Sequence, residues 1–183
     1  MNIIFFDDAA RTSLLPLTFT RPVAAIRVGI LTIREKWEHH LNGHTFSWFT
    51  QEFLRGKFPL EVKDDNLLIN GSVLPSAKLI DELLNLPMDA QLVSSGLTVA
   101  YRVSADKLRD LVSLDDLHVE KSLSSTAVLQ RVVNHWDIFA MNDGAIRDDF
   151  NTLTTGRTSQ PISATNKVIG GGAIFLEAGA VVE

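Results

Sequence analysis

Cysteine is absent from the 183 residues, so the chain contains neither a disulfide nor a metal site built from thiolates. No apolar stretch approaches the roughly 18 residues that a membrane-spanning helix requires, and we expect no membrane association. The N-terminus lacks the basic segment and long apolar run of a signal peptide, which predicts a cytoplasmic protein. Runs of basic residues are also missing and the net charge is −5, so we expect no nucleic-acid partner.

The apolar residues that are present form short runs that alternate with helical patterns. The runs Asn2–Phe6 and Asn66–Asn70 are uninterrupted, which is typical of strands buried on both faces of a parallel sheet. This alternation predicts an α/β domain over residues 1–155, with a mixed, mostly parallel sheet and flanking helices. The other predicted strands are 45–50, 90–94 and 97–103, the predicted helices are 30–41, 76–86, 104–112, 136–142 and 145–150, and residues 126–133 fit either a strand or a helix.

The last part of the chain changes character. Residues 156–167 are polar and rich in turn-forming residues, which indicates a linker. Over residues 168–183 aliphatic residues recur every six or seven positions, with Gly-Ala pairs between them, as in the hexapeptide repeats of a left-handed β-helix. Because about three or more coils are needed to bury such a face, we expect the first coil of a truncated β-helix. A glycine-rich terminal hairpin is the alternative.

A long connection with three arginines follows the first predicted strand, over residues 7–27. Pro16 and Pro22 disfavour a long helix there, and connections of this length are often functional. Guanidinium groups bind phosphate through paired hydrogen bonds, so Arg11, Arg21 and Arg27 are candidate phosphate contacts. The alternatives are ion pairs with neighbouring acids for Arg21 and Arg27, and a surface position for Arg11.

Several segments resemble the sugar-phosphate nucleotidyltransferases. Pro16-Leu17-Thr18, Pro22 and Gly29 match elements of the pattern with which that family opens. The closest resemblance is to bacterial proteins similar to the bifunctional N-acetylglucosamine-1-phosphate uridyltransferase/glucosamine-1-phosphate acetyltransferase. The segments that carry it are LLPLTFTRPVAAIRVGILTIREKW, LINGSVLP, WDIFAMN, TTGRTS and IFLEAGAVVE. The resemblance implies a nucleotide-diphospho-sugar transferase fold ahead of an acyltransferase-type β-helix, and a homotrimer for the full-length chain.

The family's phosphate loop is only partly kept. In the family, glycines in this loop let backbone N–H groups bind a triphosphate. Over residues 8–13 these glycines are replaced, and only Thr12 matches the residue of the family's loop. The family's lysine after the proline is replaced by Val23, and arginines stand nearby. The resemblance therefore implies Arg21 and Arg11 as catalytic residues, and as nucleotide- or phosphate-binding residues Asp8, Arg11, Thr12, Arg21, Arg27, Asn70 and Gly71.

The resemblance also implies Mg²⁺ as cofactor. Gly71 matches the family's Gly-Asp metal motif, but Ser72 replaces its aspartate. Asp7 and Asp8 are the substitute ligands, or else they only end the strand and cap the next segment. Asn142 matches a second metal ligand of the family, and an Asn-Asp-Gly turn explains it equally well. The acidic pair Asp148-Asp149 is interpreted as a solvated helix face.

Two functions are compatible with these residues. The first is a sugar-1-phosphate nucleotidyltransferase that uses a nucleoside triphosphate, UTP by resemblance, and an amino-sugar 1-phosphate. The second is a non-catalytic domain that binds a nucleotide-sugar or helps to assemble a β-helical acyltransferase, and the missing glycines, lysine and aspartate favour it.

Overall fold

The structure, a computed structural model, describes residues 1–182 and is built around a six-stranded sheet. The strand order is β2-β1-β3-β5-β4-β6. Strand β1 pairs parallel with β2 and β3, β4 pairs parallel with β6, and β5 runs antiparallel to β3 and β4. This confirms the predicted mixed, mostly parallel sheet. The strands are β1 (Asn2–Phe6), β2 (Thr45–Phe49), β3 (Asn66–Asn70), β4 (Ala90–Ser94), β5 (Leu97–Val103) and β6 (Lys121–Ser124).

The central strands β1 and β3 are buried along their whole length. Because side chains alternate across a strand, Ile3 and Phe5 enter the main core cluster, while Ile4 and Phe6 pack into a second cluster on the other face. Both faces are therefore covered, which is the physical reason for the uninterrupted apolar runs in the sequence.

The helices are α1 (Ala10–Ser13), α2 (Ile33–His40), α3 (Ala77–Leu84) and α4 (His135–Thr154). Helices α2 and α3 of these four begin at polar caps. A capping box opens α2, in which the Thr32 hydroxyl accepts the Glu35 N–H and the Glu35 carboxylate accepts the Thr32 N–H. Ser76 caps α3 by accepting the Leu79 N–H at 3.3 Å. The helices predicted over 30–41 and 76–86 are confirmed with shorter bounds.

Three local predictions differ from the structure, and one strand was missed. The two helical pieces predicted over 136–142 and 145–150 are one helix, α4, which continues through the exposed Gly144. The helix predicted over 104–112 is only one turn, Ala105–Lys107, after which Leu108 packs into the second core cluster. Strand β6 was not predicted because its four residues are all exposed and show no apolar alternation. Residues 126–133 form neither element, apart from one bridge between Arg131 and Val73.

A buried ion pair anchors α4 to the start of α2. Asp149 contacts the Lys36 ammonium, and the two side chains are only 4% and 7% exposed. The same carboxylate accepts the N–H groups of Ile30 and Leu31 at 2.9 and 3.0 Å. The interpretation of Asp149 as part of a solvated face is therefore wrong, whereas Asp148 is exposed as expected.

Residues 156–182 contain no helix or strand, so the predicted first coil of a β-helix is not seen, and Glu183 lies outside the described residues. The segment folds back on itself, with the Gln160 N–H donating to the Leu176 carbonyl at 2.9 Å. Ile169 and Val181 are 85% and 78% exposed, so the aliphatic residues of this segment do not form a buried core. The hexapeptide interpretation and the division at residues 155 and 167 stay predictions. Over residues 1–182 no helix has the length and apolar character needed to cross a membrane.

Candidate active site

The connectivity of the sheet creates a topological switch point. From β1 the chain passes to β2 on one side and then to β3 on the other side of β1. In α/β sheets, ligands bind in the crevice at the carboxyl ends of strands where the order reverses in this way. Asp7 and Asp8 follow β1 directly and Asn70 ends β3, so all three lie at this crevice.

Four side chains form a closed ring of hydrogen bonds there, which we call the switch-point ring: Asp8, Asn70, Ser72 and Arg131. The Asp8 carboxylate accepts from Asn70 at 2.9 Å and from the Arg131 guanidinium at 2.6 Å. The Ser72 hydroxyl donates to Asn70 at 2.7 Å and accepts from Arg131 at 3.1 Å. The second Asp8 oxygen accepts the Ala10 N–H at 2.9 Å. Every member of the ring is thereby held in one orientation.

Arg131 was missed by sequence reasoning. It lies in the segment that fitted either a strand or a helix, 123 positions after Asp8 and 59 after Ser72. No local pattern marks it, because its partners are assembled only by the sheet. The bridge between Arg131 and Val73 brings it beside the end of β3.

Asp7 ties the long connection after β1 to the strand ends. One carboxylate oxygen accepts the Val23 N–H at 2.8 Å, and the other accepts the Thr50 hydroxyl at 2.6 Å. The Arg11 guanidinium lies 3.8 Å from the second oxygen. Burial raises the pKa of Asp7, and the hydrogen bonds from Thr50 and Val23 and the charge of Arg11 oppose the rise.

The raised pKa of Asp7 predicts a specific pH dependence of stability. The folded protein holds this proton more tightly than the unfolded chain, whose carboxyl has a pKa of about 3.8. The resulting stabilisation is full below that value and is lost as the pH rises through the folded-state pKa. We expect the free energy of unfolding of Asp7→Asn to improve relative to the parent chain between about pH 4 and pH 7, measured by urea denaturation. A difference that stays constant over this range would contradict the prediction.

The residues predicted to bind Mg²⁺ do not fit that ion. Both oxygens of Asp7 and both oxygens of Asp8 already accept hydrogen bonds, and Arg131 sits directly on Asp8. Asn142 lies on α4, where its amide oxygen accepts the Gly29 N–H at 3.0 Å, and no hydrogen bond joins it to either aspartate. Over residues 1–182 no three His, Asp or Glu residues are grouped to hold a metal. The structure thus does not bring Asp7, Asp8 and Asn142 together into one metal-binding group.

The Arg11 side chain is turned inward and contacts other residues of the protein. Its guanidinium donates to the Thr18 carbonyl at 2.9 Å, and the Thr18 hydroxyl donates back to the Arg11 carbonyl at 2.6 Å. The guanidinium also lies over the Phe53 ring, 5.6 Å from its centroid. Thr12, on the short helix α1, is exposed.

Gly71 is required by a close approach of two backbone segments. Its N–H donates to the Phe6 carbonyl at 2.8 Å. A Cβ at this position would lie 3.1 Å from that oxygen and 3.2 Å from the Ala24 nitrogen. Gly71 therefore packs the end of β3 against the connection after β1, and the structure shows a packing role for it at the candidate site.

Arg21 and Arg27 line a separate cavity of about 390 Å³. Among residues 1–182 Arg21 makes no ion pair or hydrogen bond, and the Arg27 side chain reaches only the half-buried Glu35, at 3.9 Å. The partly buried His135 and four apolar side chains complete the walls: Leu17, Ile26, Ile138 and Phe139. The structure therefore brings Arg21 and Arg27 together but leaves Arg11 outside, so the three arginines do not share one cleft.

A second cleft of about 670 Å³ opens at the carboxyl ends of β1 and β2. Asp7, Asp8 and Thr50 lie in its wall, together with Arg55 and residues 112–115. This cleft meets the switch-point ring at Asp8, and it is larger than the cavity lined by Arg21 and Arg27.

A sequence model described as "Sugar nucleotidyl transferase" matches residues 3–158. The chain belongs to the sugar nucleotidyl transferase family. The match spans the sheet except for Asn2, together with the switch-point ring and both clefts, and it confirms the resemblance at the level of the family.

One similar solved structure is a Bacillus anthracis protein, provisionally named a glucose-1-phosphate thymidylyltransferase and crystallised with sucrose. It shares 11% sequence identity with a TM-score of 0.49, over 80% of this chain and 95% of the other. At these values the likeness carries no weight for substrate or activity. A search of curated proteins finds no match.

Proposed function

We propose that this chain is the nucleotidyltransferase part of a longer protein and forms a nucleotide-sugar from UTP and an amino-sugar 1-phosphate. An oxygen of the sugar phosphate attacks the α-phosphorus of the nucleotide, the bond to the β-phosphate breaks, and pyrophosphate leaves. Such a reaction depends on positioning and on neutralising phosphate charge more than on covalent catalysis.

One observation carries the proposal. In this chain, which belongs to the family, the switch-point ring lies at the carboxyl ends of the strands and borders an open cleft at Asp8. Arg131 supplies a fixed cation there, with its side chain 24% exposed. Arg21 and Arg27 supply two further cations in the neighbouring connection. Guanidinium groups suit phosphate oxygens because they donate in pairs.

Further parts of the proposal rest on the sequence resemblance. The repeats over residues 168–183 support a following acyltransferase-type β-helix, and that architecture implies a homotrimer. A cytoplasmic location is part of the proposal, and the absence of cysteine from the 183 residues is compatible with a reducing compartment.

Pyrophosphate release tests the proposal. The longer natural chain is mixed with UTP and N-acetylglucosamine 1-phosphate, with Mg²⁺ supplied as the counter-ion of the triphosphate, and then with other bases and sugars. We expect release that depends on both substrates. No release with any pair, despite measurable UTP binding, would reject catalysis and support a non-catalytic binding domain. That second function is favoured by one observation, the full occupation of the Asp7 and Asp8 carboxylates by protein donors.

Arg21→Ala is expected to weaken nucleotide binding by about 1–3 kcal/mol, the loss of one charge-assisted hydrogen bond. Isothermal titration with UTP measures the change in affinity. The matched control is Arg147→Ala, which removes an exposed cation more than two turns further along α4 from His135. Equal affinities for Arg21→Ala and the control would remove Arg21 from the site.

A further inference from the structure

We infer that the Arg131 guanidinium supplies the positive charge at the switch point, so that an anionic ligand binds there without a divalent metal ion. The inference deepens the proposed function and rests on it for the identity of the ligand as a nucleoside phosphate. It concerns binding, and it assigns a phosphate-contacting role to a residue that the sequence did not single out.

The guanidinium of Arg131 is held in a fixed orientation. Its Nε donates to Ser72 and one Nη donates to Asp8, at 3.1 and 2.6 Å. The backbone on both sides is also held, because Leu74 donates to the Gln130 carbonyl and Val132 donates to the Ser72 carbonyl. A cation fixed in this way needs no reorganisation when a ligand arrives.

Part of the guanidinium remains available to a ligand. Arginine has five N–H donors, and among residues 1–182 no group accepts a hydrogen bond from the Nη1 of Arg131. The side chain is 24% exposed, and Nη1, which has no acceptor, is not among the buried polar atoms, so this edge has access to solvent. A phosphate oxygen is the acceptor that suits such an edge.

The same contacts leave no place for a divalent ion. A metal at Asp8 would have to displace both Arg131 and Asn70 from the carboxylate. Asp8 is neutralised by Arg131, so the electrostatic attraction for a second cation is reduced. Ser72, where the resemblance expects a metal-binding aspartate, accepts a hydrogen bond from Arg131 instead. The missing carboxylate and the added guanidinium are thus parts of one arrangement.

Two measurements on the longer natural chain test the inference. The first is Mn²⁺ binding in the absence of nucleotide, measured by electron paramagnetic resonance. We expect the parent chain and Asp8→Asn to bind Mn²⁺ equally weakly or not at all. Tight Mn²⁺ binding that Asp8→Asn abolishes would overturn the inference while leaving the proposed function intact. This measurement needs no arginine variant and therefore does not depend on whether such a variant folds.

The second measurement is UTP binding by isothermal titration, in EDTA and in Mg²⁺. We expect dissociation constants that agree within about fivefold, and a loss of about tenfold or more in EDTA for Arg131→Gln. Arg131→Lys keeps the charge but not the paired donors, so its dissociation constant should lie between those of the parent chain and Arg131→Gln. Arg109→Gln, at an arginine whose side chain is 70% exposed, is the control. Binding that requires Mg²⁺, or that Arg131→Gln leaves unchanged, would overturn the inference alone. Absence of UTP binding under both conditions would overturn it together with the proposed function.

Discussion

Asp149→Asn is expected to lower the free energy of unfolding by about 3–5 kcal/mol, since it leaves a buried charge without its partner. The Lys36 ammonium is 7% exposed and has Asp149 as its counter-charge. The substitution also weakens the acceptor that holds the N–H groups of Ile30 and Leu31, just before α2. Chemical denaturation of the variant and the parent chain measures the loss.

The adjacent residue provides the control for this prediction. Asp148 is exposed on the same helix, so Asp148→Asn should change stability by less than about 0.5 kcal/mol. Replacing both charges, as Lys36→Met with Asp149→Asn, should recover much of the loss, because no unpaired charge stays buried and the amide oxygen still accepts the N–H groups of Ile30 and Leu31. Equal stabilities for Asp149→Asn and Asp148→Asn would show that the ion pair does not anchor α4.

Gly29→Ala is expected to destabilise the protein by about 2–4 kcal/mol, through a strained backbone and a steric clash together. Gly29 has φ +81°, and a Cβ there would lie 2.6 Å from Asp149 Oδ2 and 2.8 Å from the Ala145 carbonyl carbon. Neither neighbour moves freely, since Asp149 is held by the ion pair and Ala145 belongs to the backbone of α4. Thermal and chemical denaturation both report the loss.

Gly43 separates the two causes. It has nearly the same backbone conformation, φ +79°, but a Cβ added there would meet no atom within 4 Å. Gly43→Ala should therefore cost only the conformational term, about 1 kcal/mol. If Gly29→Ala were no more destabilising than Gly43→Ala, the close contact between Gly29 and α4 would be disproved.

Elements whose signals are local were predictable from the sequence. The uninterrupted runs at Asn2–Phe6 and Asn66–Asn70 indicated buried strands, and both are strands with these bounds. Ser76 indicated the start of α3 because a cap acts within a single turn. The exposed strand β6 had no such signal, since its pairing with β4 is decided by backbone hydrogen bonds with distant residues.

The candidate site shows the same division more sharply. Asp7, Asp8 and Asn70 were identified because each lies at the end of an apolar run, a property of the local chain. Arg131 was not predicted, and Asp149 was misinterpreted, because their roles depend on partners more than 100 residues away in the sequence. Arg11 lies in the expected loop, but packing against Thr18 and Phe53 decides the direction of its side chain.

The sequence by itself determined the α/β architecture, the strands that form its centre and the family resemblance, because apolar periodicity, caps and motifs act over a few residues. Only the tertiary structure decided which charges meet. It set Arg131 on Asp8, buried Lys36 against Asp149 and separated Arg11 from Arg21, since ion pairing depends on distances that the folded sheet alone establishes.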